Sequence, residues 1–157
     1  MRWIWIDRIE EFEPRKRVLA VKNVSLAEEH LHDHWGAYPV MPTSLMIEGM
    51  AQTGGILVGQ ACDFAHDVVL AKITRADFSD IVVPGDQLTY EAVIENLAEE
   101  AASIKGTVRK NGQVIGEITM MFSHANNSLA GLELPEGFVF TGSFQRMVEP
   151  FLEQSND

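Results

Sequence analysis

Apolar and polar residues alternate over several short segments of the chain, and one longer segment is apolar or small on nearly every side. Alternation over residues 17–25 indicates a strand with one buried face. Similar strand-like segments dominate the second half of the chain and cover residues 67–73, 78–83, 88–97, 102–109 and 114–122. One helix combined with runs of antiparallel strands is typical of an α+β fold.

The longer apolar segment, residues 45–61, predicts a single buried helix. Pro39 and Pro42 precede it and favour a stiff, extended turn, after which Thr43 or Ser44 is expected to cap the helix. Four glycines within the segment cost roughly 1 kcal/mol each relative to alanine. We therefore expect the surrounding structure to hold this helix and another backbone to approach it closely, as a sheet wrapped around it would.

Turn signals separate the predicted elements. Asn111-Gly112 is the strongest hairpin signal in the chain, and the Pro-Gly pair within residues 83–86 also predicts a turn. Residues 10–14 indicate a further turn, and residues 27–38 indicate a polar, histidine-rich connection. The sequence predicts a main domain over residues 1–124 and a C-terminal extension, residues 125–157, that packs on the same domain.

Composition restricts the classes of partner. The 157 residues are enough for one domain with its own core, and the net charge of -11 argues against binding to nucleic acid or to anionic membranes. The single cysteine, Cys62, has no partner for an internal disulfide, so we expect a reducing cytoplasm. Charge follows soon after Met1, which argues against a secretion signal, and no segment indicates a membrane span.

Glu48 is the residue of the apolar helix that most needs an explanation. Burying a carboxylate costs free energy unless hydrogen bonds satisfy it or a reaction uses it. A purely structural alternative is a carboxylate satisfied by the backbone or by Gln52, one helical turn later. His34, fourteen residues before Glu48, is a candidate base for proton transfer. The two residues together indicate acid–base chemistry at the start of the helix.

A metal site is the alternative interpretation of the histidines. His30, His32 and His34 occupy alternate positions, which would place them on one face of a strand. No cysteine or carboxylate set completes a ligand group, so the sequence favours a site without metal.

Several motifs in one order carry a resemblance to a known family. They are Asp7-Arg8-Ile9, Lys16-Arg17-Val18, Lys22-Asn23-Val24, Phe78 and the run from Val83 to Gln87, together with the spacing of His34, Pro39, Pro42, Glu48 and Ala51-Gln52. Over residues 4–123 the chain resembles the 3-hydroxyacyl-acyl-carrier-protein dehydratases of bacterial fatty acid synthesis. The resemblance implies a hot-dog fold, in which an antiparallel sheet wraps around one long central helix.

The resemblance also implies a reaction, the reversible loss of water from a (3R)-hydroxyacyl thioester to give the trans-2-enoyl thioester. His34 would be the base, and Glu48 would be the acid or orient water. The backbone N–H of Thr43 would face the thioester oxygen; Thr43 stands where the family pattern has glycine, but its N–H is retained. Gln52 would lie beside the acid. No metal or organic cofactor is implied.

The resemblance further implies where the acyl chain and the partners bind. An apolar tunnel between helix and sheet would be lined by Val40, Met41, Phe78 and Val83. Histidine and acid would come from different subunits, so we expect a homodimer or a trimer of dimers. The substrate would be carried by acyl carrier protein or by CoA, with residues 15–17, or Lys72 with Arg75, as candidate basic clusters for an acidic carrier.

Two other functions are compatible with the same fold. A hot-dog acyl-CoA thioesterase would use the carboxylate to direct water at the carbonyl and would release a free thiol. A non-catalytic acyl-binding protein would hold the thioester without converting it.

Overall fold

A six-stranded antiparallel sheet, in the order β1-β2-β4-β5-β6-β3, forms the body of the molecule. The computed structural model of the chain describes residues 3–34, 37–125, 128–129, 132–133 and 142–153. The sheet strands are β1 (Arg8–Glu13), β2 (Arg17–Asn23), β3 (Asp67–Phe78), β4 (Gln87–Leu97), β5 (Ala101–Lys110) and β6 (Gln113–Ala125). The other elements are helices α1 (Glu29–His34), α2 (Thr43–Ala61) and α3 (Gly142–Glu153), with a short pair formed by β7 (Ser128–Leu129) and β8 (Leu132–Glu133).

Helix α2 is the central helix that the sequence predicts, and the sheet packs against it. Its Met46, Met50 and Leu57 are almost completely buried, as are Tyr90 and Ile104 of the sheet. This arrangement confirms the predicted α+β, hot-dog fold. The predicted cap by Thr43 or Ser44 is wrong, because the helix begins directly after Pro42, whose carbonyl accepts the N–H of Leu45 at 2.9 Å. Both hydroxyl residues therefore lie inside the first turn.

The glycines of α2 make room for side chains of the sheet, whereas the sequence predicted close approach of a backbone. A Cβ atom at Gly49 would lie 2.7 Å from the ring of Tyr90, and one at Gly54 would overlap the end of the Ile104 side chain. Gly55 differs, since a Cβ there would lie 3.7 Å from its nearest neighbour. The low helix propensity of Gly49 and Gly54 is thus offset by packing that a larger residue would prevent.

Both predicted turns are confirmed. Asn111 and Gly112 have φ values of 50° and 87°, the left-handed pair that a two-residue hairpin between β5 and β6 requires. Gly85 also has a positive φ, 97°, and the N–H of Asp86 donates to the carbonyl of Val83 at 3.1 Å.

Three predicted boundaries differ in the structure. Residues 8–13 form β1, and the turn that was predicted at 10–14 follows the strand. The connection at 27–38 contains α1, which is anchored by buried Leu31. The strand predicted at 67–73 continues to Phe78 as β3, past pairing irregularities near Leu70 and Ile73. The separate strand predicted at 78–83 is wrong, because residues 79–83 lie in the connection that follows β3.

Helix α3 packs against β1. Its Phe144 and Val148 are buried in the core, and the ring of Phe151 lies 6.4 Å from that of Phe12. The predicted division into residues 1–124 and 125–157 stays a prediction. Within the described ranges, no helix is long and apolar enough to cross a bilayer.

Candidate active site

Glu48 lies in the second turn of α2, half-buried, and hydrogen bonds fix one of its oxygens. Its Oε1 accepts the indole N–H of Trp3 at 3.1 Å and the side-chain N–H of Gln52 at 3.0 Å. Neither donor carries a formal charge, so the carboxyl group is oriented without an ion pair. The fixed geometry is what a group that transfers protons needs.

Gln52 is itself held by the segment that precedes β1. Its Oε1 accepts the backbone N–H of Trp5 at 2.8 Å, and its Nε2 donates to the carbonyl of Trp3 at 3.2 Å. The first contact sets the orientation of the amide, so that its NH₂ group faces both the carbonyl of Trp3 and Oε1 of Glu48. The prediction that Gln52 lies beside the acid agrees with this geometry; a contact with substrate stays a prediction.

The same segment connects α2 to α1. The ring of Trp5 is buried and packs edge-on against His30 of α1, with ring centres 4.9 Å apart, while Trp3 packs edge-on against Trp5 at 5.4 Å. Since the backbone of Trp5 binds Gln52, the segment contacts both helices. It thereby brings α1 next to the part of α2 that carries Glu48.

Ionic contacts of the buried Lys22 side chain hold the residues at the start of helix α1 in place. Lys22, only 7% exposed, donates to Oε1 of Glu28 at 3.1 Å, and the same oxygen accepts the backbone N–H of Ser25 at 2.8 Å. Asp7 adds a second carboxylate 3.7 Å from the ammonium group. A cation that is out of water needs such partners, and here they hold the residues from which α1 begins.

His34 is the last residue of α1, and its side chain lies outside the described part of the chain. Its role as base therefore stays a prediction. The same holds for His32 in the alternative metal site. Among the described residues, no group of three or more histidine, cysteine or acidic side chains could hold a metal ion.

The remaining predicted site residues surround the start of α2 or lie at the end of β3. Thr43 is the first residue of α2, where the backbone N–H has no acceptor within the helix. Buried Met41 donates its N–H to the carbonyl of Val82 at 2.8 Å, which joins the two segments that contain the predicted lining residues Val40 and Val83. Their contact with an acyl chain stays a prediction.

Phe78 has no described contact with Val40, Met41 or Val83. Its ring covers Gly116 of β6, where a Cβ atom would lie 2.6 Å away, and it lines a surface cleft of about 260 Å³ beside Arg75 and Ile115. Within the described residues, the lining of this cleft does not include Glu48. The predicted tunnel between helix and sheet stays a prediction.

Tyr90 is the titratable residue next to the site that burial affects most. Its ring packs on Gly49, and its hydroxyl has no hydrogen-bond partner among the described residues. Burial raises the pKa of Tyr90 well above its ordinary value, and the negative charges of Asp7 and Glu28 add to the effect. The phenol therefore stays neutral at physiological pH.

A second polar cluster lies at the other end of α2. Cys62 Sγ lies 3.4 Å from Nε2 of His124, and both residues line a cleft of about 430 Å³ together with Arg15. Burial raises the pKa of the Cys62 thiol, which keeps it protonated. The sequence gives no indication of this contact, because 62 residues separate Cys62 from His124.

Comparison with known proteins identifies the family of this fold and site. A family model described as the FabA-like domain matches residues 3–119. The chain belongs to the FabA-like family. The family resemblance found in the sequence is thereby confirmed.

Relatives of this FabA-like chain include several proteins named 3-hydroxyacyl-acyl-carrier-protein dehydratase FabZ. The chain is 40% identical over 119 residues to the 3-hydroxyacyl-acyl-carrier-protein dehydratase FabZ of a Hydrogenobaculum species, which covers 74% of this chain and 80% of that one. It is 38% identical over 119 residues to the FabZ of Clostridium acetobutylicum, covering 74% of this chain and 84% of the relative.

Solved structures similar to this FabA-like chain share its fold. A chain of the dehydratase heterocomplex ApeI:P from Xenorhabdus doucetiae superimposes with a TM-score of 0.67 at 16% identity, covering 79% of this chain and 84% of that one. A thioesterase from Haemophilus influenzae superimposes with a TM-score of 0.62 at 16% identity, covering 79% and 81%. At such identities the likeness concerns architecture alone.

Trp3 is the site residue that sequence reasoning missed. The sequence pattern around Trp3 gives no indication of a contact with the helix. The contact joins residues 45 positions apart, and no local spacing rule reports such a pair. The available signal was the indole N–H of Trp3, a hydrogen-bond donor on an otherwise apolar ring.

Proposed function

We propose that this chain catalyses the reversible dehydration of a (3R)-hydroxyacyl thioester to the trans-2-enoyl thioester, in fatty acid or related acyl-chain biosynthesis. The observation that carries the proposal is the 40% identity to a 3-hydroxyacyl-acyl-carrier-protein dehydratase over 119 residues, a match that includes most of the chain. The oriented carboxyl group of Glu48 supports it, since the reaction needs a proton donor held beside the substrate.

The proposed chemistry divides two proton transfers between two residues. His34 removes a proton from C2, beside the thioester carbonyl, and Glu48 gives a proton to the hydroxyl group on C3. The C3–O bond breaks, water leaves, and the electron pair of the former C2–H bond forms the double bond. Negative charge that develops on the thioester oxygen is stabilised by the N–H of Thr43, at the positive end of α2. Hydration runs through the same steps in reverse.

The proposed assembly is a homodimer, alone or within a trimer of dimers. Strand β3 ends the sheet order, and among the described residues no further strand pairs with its outer side. It is twelve residues long and mostly exposed, with Ile73 at 40% exposure. A long exposed edge is prone to pair with another chain. Pairing of β3 with a second copy would cover this edge and allow His34 and Glu48 to come from different subunits.

The proposed substrate is a thioester of acyl carrier protein or of CoA. The predicted basic clusters are partly neutralised by neighbouring carboxylates, because Lys16 pairs with Glu13 at 2.5 Å and Arg75 with Asp77 at 2.5 Å. They therefore attract an acidic carrier only weakly. Lys72 is exposed and has no ion pair among the described residues. We expect the acyl chain and thioester to provide most of the binding energy, so CoA thioesters should also react.

The test is an assay of purified protein with short and medium trans-2-enoyl thioesters on CoA and on carrier protein. A dehydratase removes the enoyl absorbance, forms the (3R)-hydroxyacyl thioester and releases no thiol. Release of free thiol without hydration would instead identify a thioesterase. Tight binding without conversion would identify an acyl-binding protein, and either of these results would overturn the proposal.

A further inference from the structure

We propose that Trp3 is a positioning residue for Glu48, which it holds through its indole N–H so that the second carboxyl oxygen, Oε2, carries the transferred proton. The inference deepens the proposed function and rests on it. It concerns a residue outside the motifs that identify the family, and it makes the segment before β1 part of the catalytic apparatus.

The hydrogen-bond donors to the carboxyl group of Glu48 are unevenly distributed between its two oxygens. Oε1 of Glu48 accepts two N–H groups, from Trp3 at 3.1 Å and from Gln52 at 3.0 Å. An indole N–H and an amide N–H are donors only, so neither can accept a proton from a carboxylic acid. A proton on Oε1 would point at these donors and break at least one bond. The proton of neutral Glu48 therefore belongs on Oε2, to which no described residue donates.

The indole of Trp3 is itself held in place. Although 55% of Trp3 is exposed, its ring packs edge-on against buried Trp5, and its carbonyl accepts the N–H of Gln52 at 3.2 Å. Further along, the N–H of Asp7 donates to the carbonyl of Val21 at 2.7 Å, which joins the segment to the sheet. The donor is thus preorganised, and rotation of the Glu48 carboxyl group would lose two hydrogen bonds together.

Trp3 and Gln52 contribute differently to the orientation of Glu48. Gln52 alone, one turn along the same helix, would leave the carboxyl group free to swing about the axis of a single hydrogen bond. The second donor comes from a different element and fixes the plane of the group. Trp3 therefore acts on the orientation of the acid, which affects the chemical step and leaves binding of the acyl chain largely unchanged.

The test compares Trp3→Phe with the wild-type enzyme in the enoyl hydration assay. Phenylalanine keeps an aromatic ring, although a smaller one, against Trp5 and removes the N–H donor. We expect kcat to fall about tenfold, as loss of one hydrogen bond to a reacting carboxyl group would give, with KM within about twofold and an unchanged melting temperature. Trp3→Leu, which removes ring and donor together, should lower kcat by the same factor.

The Glu48→Gln variant serves as a second background, in which the dependence of Trp3 on Glu48 can be measured. In Glu48→Gln protein the residual hydration rate should not change when Trp3→Phe is added, because the residue acts only through the acid. A Trp3→Phe enzyme with wild-type kcat, or a tenfold loss that persists in the Glu48→Gln background, would overturn the inference. Each result leaves the proposed function standing, because wild-type turnover is measured in the same experiment.

An NMR measurement decides the contact independently of turnover. In protein labelled with ¹⁵N-tryptophan, the Trp3→Phe spectrum identifies the Trp3 indole resonance. That resonance should shift and lose protection from hydrogen exchange in Glu48→Leu protein. An unchanged resonance would show that Trp3 does not hold Glu48. If the wild-type chain hydrates no enoyl thioester, the proposed function fails, and with it the catalytic role of Trp3, even where this contact is observed.

Discussion

At the scale of single residues, the site depends on which atoms fill the space around α2. Gly49 follows Glu48 directly and lets the buried ring of Tyr90 lie against the helix. An ordinary helix would gain stability from alanine at such a position, because glycine has the larger conformational entropy in the unfolded chain. At Gly49 the lack of space for a methyl group outweighs the gain in stability that alanine would give. At Gly55 there is space for the methyl group, so the gain remains.

We therefore predict opposite effects for the same substitution at two positions of one helix. In Gly49→Ala, the new methyl group meets Tyr90 at 2.7 Å, and the protein should lose about 1–2 kcal/mol of unfolding free energy. In Gly55→Ala, the methyl group has ordinary contact at 3.7 Å, and the protein should gain about 0.5–1 kcal/mol. Urea unfolding of both variants checks this, and equal shifts of the same sign would contradict the packing described for α2.

The sequence predicted part of this residue-level picture. Glu48 and Gln52 were identified because a carboxylate on an apolar helix needs a partner, and a residue one turn away can provide it. Trp3 could not be found in this way, since its contact with Glu48 depends on where the chain folds back. Likewise, the sequence predicted that the glycines allow close approach, but only the tertiary packing shows that the approaching group is the ring of Tyr90.

At the scale of elements, an ion network connects three adjacent strands. Glu91 of β4 accepts from Arg17 of β2 at 2.6 Å and from Arg109 of β5 at 2.7 Å. These hydrogen bonds lower the pKa of Glu91, and the carboxylates beside Arg17 raise the pKa of its guanidinium group. All three side chains are at most one-third exposed, so the pairs are more strongly coupled than ordinary surface pairs.

A lowered pKa in the folded state gives a pH dependence with a defined sign. Ionised Glu91 stabilises the fold above its ordinary pKa of 4.5, and this contribution is lost as the pH falls through the lower, folded-state value. Glu91→Gln should therefore cost about 1–2 kcal/mol at neutral pH, and the difference from wild type should shrink below about pH 4.5. Unfolding curves over this pH range measure it.

Glu95 on the same strand provides the control. It is exposed and has no ion pair among the described residues, so Glu95→Gln should change stability by less than about 0.5 kcal/mol at every pH. If Glu91→Gln behaves like Glu95→Gln, the network contributes nothing to stability.

Elements with strong local signals were predicted correctly, and elements shaped by their neighbours were not. The buried helix and the Asn111-Gly112 hairpin follow from local periodicity and turn chemistry. The full length of β3 does not, because its irregular pairing with β6 interrupts the alternation of apolar residues that marks a strand. Helix α1 has six residues, too few to give a helical period, and its side-chain contacts hold it in place.

At the scale of the whole molecule, the proposed function requires two copies of the chain. The exposed outer edge of β3 is the surface that a second copy would cover. A lysine on such an edge opposes pairing, because it brings a charge into the new interface. The single chain does not need Ile73 for its own core, since this side chain is 40% exposed.

We predict that Ile73→Lys weakens association without unfolding the chain. Sedimentation should show a dimer or larger assembly for wild type and a shift toward monomer for the variant, with hydration activity lost in proportion. Asn96→Lys, which adds the same charge at an exposed position of β4, should leave assembly and activity unchanged. An Ile73→Lys protein that assembles as wild type does would contradict the proposed use of β3.

The sharpest test of the central claim mixes two inactive proteins. His34→Ala and Glu48→Gln should each lose at least about 100-fold in hydration rate. After the two variants are unfolded, mixed in equal amounts and refolded, half of the dimers should contain one chain of each variant. In such a dimer one of the two sites combines the wild-type His34 of one chain with the wild-type Glu48 of the other, and the second site lacks both residues. The account predicts recovery of about one quarter of wild-type activity. Activity that stays at the level of the separate variants would contradict a site in which His34 and Glu48 of two subunits act on one thioester.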